Sequence, residues 1–160
     1  MRASLVAERG VTYLELIAVA AIVAILASAI LPMAKVTVTR QRELELRRAL
    51  REIRTAIDRH KLEVDRGQIA GPDVKIENEG YPASLEVLVK GVTKVGTADA
   101  DAKIKFLRRI PVDPMTSTAE WGMRCYQDEP DSNSWCGNNV YDVYSKAAGK
   151  GLDGTKYADW

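Results

Sequence analysis

The chain has 160 residues, with 23 Lys and Arg against 22 Asp and Glu, one His, two Cys and 46% apolar residues. This size allows one modest domain with an appendage. Balanced charge argues against a generic polyanion binder, the apolar content argues against a disordered chain, and a lone histidine, His60, excludes a multi-histidine metal site. Two compositions lie behind these averages: nine of ten aromatics, ten of eleven Gly, five of six Pro and both Cys follow residue 66.

The first predicted element is an apolar helix. From Leu16 to Ala34 no residue is charged, and nineteen helical residues reach roughly 28 Å, about the thickness of a bilayer's hydrocarbon core. The pattern predicts a transmembrane helix over 11–34. Before it lies a short leader, 1–10, with Arg2, Glu8 and Arg9. Ala27-Ser28-Ala29 offers an alternative, a signal-peptidase site that would release a Sec-exported periplasmic binding module. Against this stand Glu15 at the mouth of the apolar run, where an ionised carboxylate in lipid costs about 2.5–3.5 kcal/mol, and a helical pattern that continues past Ala29.

Gly10-Val11-Thr12-Tyr13-Leu14-Glu15, followed by the apolar run with Pro32, resembles the N terminus of type IV pilins and type II secretion pseudopilins. The resemblance implies that a prepilin peptidase cuts between Gly10 and Val11, removing 1–10 as a leader, and methylates the new terminus at Val11, and that the helix over 11–34 packs in a filament core. It also implies that Glu15 meets that terminus on a neighbouring subunit during assembly. An intramembrane ionisable residue calls for such a partner, and opposite charges attract strongly in a low dielectric, offset by desolvation. The plainer alternative is that Glu15 only ends the apolar stretch.

The second element, over 35–66, continues the helix. Neither Gly nor Pro occurs between Met33 and Arg66, and Leu46, Leu50, Ile53, Ile57, His60 and Val64 recur at spacings of four and three. That is one face of an amphipathic helix, which needs a head domain or neighbouring helices to cover it. Glu43/Arg47 and Arg54/Asp58 stand at the i,i+4 interval of helical ion pairs. No aromatic lies among the basic residues of this segment, which argues against nucleic acid and for a solvated, salt-bridged face. His60, on the apolar stripe, reads as a packed or hydrogen-bonded structural residue.

The third element, 67–160, carries the turn chemistry of a globular head, including Gly71-Pro72, Gly80-Tyr81-Pro82 and Asp113-Pro114. Ser84 is placed to cap a short helix over 85–90, and 102–109 reads as another helical turn or two. The runs 121–127 and 139–145 alternate like strands joined by a long hairpin connection. Helix first and antiparallel strands later predict an α+β class, with the helix's second half on the sheet. Cys125 and Cys136 bracket the connection. Outside the cytoplasm they would form a disulfide, worth about 3 kcal/mol on the chain-entropy model; free buried thiols are the alternative.

In the head, Tyr81-Pro82-Ala83-Ser84-Leu85, the run from Phe106 to Pro114, Tyr141-Asp142-Val143-Tyr144-Ser145 and the closing Leu152-Asp153-Gly154-Thr155 with Ala158-Asp159-Trp160 resemble the major, G-type pseudopilin of type II secretion. The resemblance implies a pilin-like fold and a non-enzymatic subunit of a pseudopilus that helps export folded proteins across the outer membrane. A type IV pilus subunit for adhesion or motility is the runner-up. Implied partners are further copies of the chain, minor pseudopilins, the prepilin peptidase and an inner-membrane assembly platform, with no nucleic acid. The implied location is the bacterial inner membrane, single-pass, with the head in the periplasm. The family commonly binds calcium in the loop after the last strands, which would fall here to Ser145, Asp153 and Asp159, since calcium takes six to eight oxygens. Lys146-Ala147-Ala148-Gly149-Lys150 stands where that loop usually has an Asp. Asp153-Gly154 reads equally as a plain turn, and Asp142 as a structural acceptor within its strand.

Overall fold

A computed structural model of the chain describes residues 10–71, 74, 78–96 and 102–160, and at 29–34 the backbone alone. The expected leader before Gly10, the side chain of Pro32 and the turn residue Pro72 therefore lie outside the described residues. The chain divides into two compact units, Met1–Thr39 and Arg40–Trp160, and one helix, α1 (Tyr13–Asp65), contributes to both.

Both ends of α1 are written in the sequence. Thr12 is its N-cap: the Thr12 hydroxyl accepts the Glu15 N–H at 3.3 Å, and the Leu16 N–H reaches the Thr12 carbonyl at 3.1 Å. Thr12 and Glu15 thus have the spacing of a capping box. At the other end Gly67 takes φ +65°. Its N–H bonds to the Val64 carbonyl and the Gln68 N–H to that of Glu63, both at 2.9 Å, which is the Schellman arrangement that a left-handed glycine permits.

The membrane-spanning expectation is corrected. Among the described residues no helix is long and apolar enough to cross a membrane, which overturns the single-pass inner-membrane location. Charge bounds the run: Glu15 and Lys35 close it at nineteen uncharged residues, 16–34, at the short end of the ~17–25 that a span takes. From Arg40 the helix turns densely charged.

In the second unit the predicted stripe is the core. Leu46, Leu50, Ile53, Ile57 and His60 are all buried, and they meet Leu85, Leu88, Leu107, Trp121, Val140 and Val143. Burial of each Leu or Ile contributes about 2 kcal/mol. Val64 is half-buried against a smaller cluster of Ile69, Val87 and Val92. The short helix α2 (Leu85–Lys90) follows Ser84 as expected, but the Ser84 side chain makes no capping bond to the backbone.

The α+β class is observed, with two small antiparallel sheets. β1 (Val92–Thr93) pairs with β2 (Lys103–Ile104), while β3 (Gly122–Arg124) pairs with β4 (Asp142–Tyr144) in the register Gly122↔Tyr144, Met123↔Val143, Arg124↔Asp142. The β3–β4 pair lies within the two predicted strands and is shorter than either. The helical turn expected over 102–109 is not formed. β2 occupies its start, and the Phe106 and Leu107 N–H groups both reach the Leu88 carbonyl, so these amides bond across the fold instead of within a helix.

Gly122 is fixed by its neighbour across the sheet. A Cβ there would fall 2.2 Å from the Tyr144 ring, which is also stacked on the Arg124 guanidinium at 4.2 Å. Gly122→Ala is therefore expected to destabilise the unit by about 1–3 kcal/mol through overpacking. A urea titration checks this, and an unchanged midpoint would show that the ring moves aside freely.

Candidate functional site

Three features have chemistry beyond packing. The first is the start of α1. Gly10 and Val11 precede the helix in non-helical backbone and are exposed, and among the described residues nothing approaches within 4 Å of a Cβ built at Gly10. A peptidase could reach this bond without unwinding the helix. Glu15 is exposed one turn later, and its backbone N–H is held by Thr12. The capping role was legible in the Thr12-x-x-Glu15 spacing, and sequence reasoning passed over it. Every large apolar side chain from Val11 to Leu26 is also exposed, from 47% at Ile17 to 81% at Tyr13. The exposed residues lie all around the helix, and a helix apolar on every side is ordinarily buried.

The second feature is an ionic hub that ties α1 to the C-terminal segment. Arg54 donates Nε to Asp142 at 2.6 Å and Nη2 to the Val143 and Trp160 carbonyls at 3.0 and 2.7 Å. From the other side Arg124 lies 3.6 Å from the Asp142 carboxylate and donates to the Ser132 and Ala158 carbonyls. Asp142 is thus the structural acceptor its strand position suggested. Both predicted i,i+4 pairs are redirected: Arg54 binds Asp142 instead of Asp58, and Arg47 binds Asp153 at 3.0 Å instead of Glu43. Glu43 is buried and accepts the Leu152 N–H at 2.7 Å and the Tyr157 hydroxyl at 3.3 Å. Burial, and after it the Glu43 carboxylate, raises the Tyr157 phenol above its usual range. His60 is structural as expected, buried with Nδ1 3.2 Å from the Gly80 carbonyl oxygen and its ring edge-on to Phe106.

The three residues implied for calcium are separated by this arrangement. Asp153 and Asp159 line one cavity of about 760 Å³, which Ser145 does not line. Ser145 is buried, and its hydroxyl donates to Asp113 at 2.6 Å. Asp153 Oδ1 accepts the Thr155 hydroxyl and N–H, and Oδ2 accepts Arg47. The Thr155 hydroxyl, then its amide and Arg47, hold the Asp153 carboxyl below the usual range. The Gly149, Gly151 and Thr155 carbonyls are bonded within the loop. As arranged, these groups do not fit a cation that needs six to eight free oxygens.

The third feature is the loop closed by the Cys125–Cys136 disulfide, whose Cα atoms are 5.9 Å apart. Asp128 converges on these sulfurs within 4.8 Å. Sulfurs joined to each other are not thiolates, however, and Asp128 accepts the Cys125 N–H at 2.7 Å, so the group reads as a loop anchor. The chain matches no protein-family model, and neither a curated protein nor a solved structure matches it.

Proposed function

We propose that this chain is a non-catalytic structural subunit that polymerises, a pilin-like protein and specifically a major pseudopilin of type II secretion. The observation that supports this reading is the unburied apolar helix. Ten large apolar side chains between Val11 and Leu26 are at least 47% exposed, and an exposed apolar surface of that extent marks an interaction site. Further copies of the same helix supply a partner of matching chemistry. The head then brings its own core and disulfide to each subunit, and the disulfide fits an oxidising compartment.

In this reading a prepilin peptidase removes the residues before Val11 and methylates the new amine. Glu15 of one subunit then pairs with that amine on the next, which sets the register of neighbouring helices. The full chain treated with a prepilin peptidase is expected to gain a terminus at Val11 by mass spectrometry. Glu15→Ala is expected to be cut equally well and to form little sedimentable polymer. Equal polymer from both proteins, or a processed terminus near residue 30, overturns the reading.

A further inference from the structure

Among the described residues, a cluster of unpaired arginines lies on the unit Arg40–Trp160. Arg48, Arg51 and Arg59 project from α1 beside Arg108, around a groove of about 460 Å³ whose apolar lining is Ala56, Phe106 and Leu107. All four arginines are exposed, and among the described residues none forms an ion pair within the chain. One acid, Glu52, lines the groove with them. The opposite charge is gathered elsewhere. Between Cys125 and Ser145 there is no basic residue, and the disulfide-closed loop presents Glu129 and Asp131 to solvent beside Asp128.

That loop is held in one shape before any encounter. The disulfide closes it, Arg124 binds the Ser132 carbonyl at 2.8 Å, the Tyr144 hydroxyl donates to the Asn133 carbonyl, and the Ser132 N–H turns back to Glu129. We propose that the arginine groove of one copy receives the Asp128–Asp131 loop of the next, a head-to-tail contact between two different surfaces of the same chain. This inference rests on the polymerisation reading above. Unlike surfaces that meet head to tail generate open filaments when the rotation does not close. The charge balance favours a second copy over nucleic acid. The whole chain carries 23 basic and 22 acidic side chains, so the groove's excess is complemented within the molecule. A nucleic-acid surface would instead need net positive charge over the domain. Preorganisation of the loop lowers the ordering cost of the contact, and the complementary charge sets its register.

The test is sedimentation of the full chain at low and high salt, with charge reversals that touch no internal bond. Arg51→Glu with Arg108→Glu reverses the groove; Glu129→Arg with Asp131→Arg reverses the loop. Each pair is expected to weaken self-association roughly tenfold at low salt, with thermal melting unchanged, and the two pairs combined are expected to recover most of the loss. The wild-type advantage is expected to vanish near 1 M salt, where charge is screened beyond about 3 Å. A wild-type chain that stays monomeric at every concentration overturns the polymerisation reading and this contact with it. Wild-type association that neither pair weakens, or weakened variants that the combination does not rescue, overturns this contact alone. So does salt-dependent capture of a single-stranded oligonucleotide that Arg51→Glu abolishes.

Discussion

Asp142→Asn is expected to lower the stability of the unit Arg40–Trp160 by about 3 kcal/mol, whereas Asp58→Asn is expected to change it by less than about 0.5 kcal/mol. In the sequence Asp58 has the better claim, since it stands at the i,i+4 position from Arg54. The structure gives the charge to Asp142. The larger share of the loss comes from Arg124, whose side chain is 8% exposed and whose other partners are the neutral carbonyls of Ser132 and Ala158. Without the Asp142 carboxylate its guanidinium remains buried with no counter-charge, the situation in which a broken pair is most destabilising. Arg54, at 36% exposure, can turn to water and adds less. Asn keeps the side chain's shape and one acceptor, so the variant isolates the charge. Urea unfolding of the full chain at neutral pH, followed by tryptophan fluorescence, measures both variants. Equal midpoints would give the hub no more than the value of an ordinary surface pair.

That comparison also marks how far the sequence could be read. The stripe from Leu46 to His60 was legible because one helical period was kept without a Gly or Pro, and its face met the core as the pattern required. The strands around Met123 and Val143 were legible in outline through their alternation, and the cysteines through their place at the hairpin's ends. Ion pairing was not legible: the rule for pairs on one helix knows nothing of an Asp 88 residues away in sequence, and Arg54 chose that one. The segment 102–109 misled for a related reason. Its short apolar run fits a helix or a strand equally, and the choice was made by the Leu88 carbonyl and by β1, neither of which is local. In the candidate site, Ser145 was assigned through the family resemblance, while the partner that claims its hydroxyl, Asp113, comes from a distant turn.

Ile22→Asp combined with Leu26→Asp is expected to weaken self-association of the full chain by roughly a thousandfold and to leave the urea midpoint of the head unchanged. Both residues are more than half exposed, at 57% and 62%, and one helical turn separates them on the same face. If the face is solvated in the working protein, adding two carboxylates improves solubility and alters nothing else, because exposed positions outside special contacts tolerate substitution within about 0.5 kcal/mol. If neighbouring copies cover it, each carboxylate enters an apolar contact without a partner. Central interface positions of that kind carry about 2 kcal/mol apiece, so the pair amounts to about 4 kcal/mol. The two cases differ in sign as well as size, and sedimentation of wild type and variant side by side separates them. Undiminished polymer from the variant would remove this helix from the contact between copies. Lost polymer with an intact head would place assembly in the apolar helix and leave the charged head surfaces to set register.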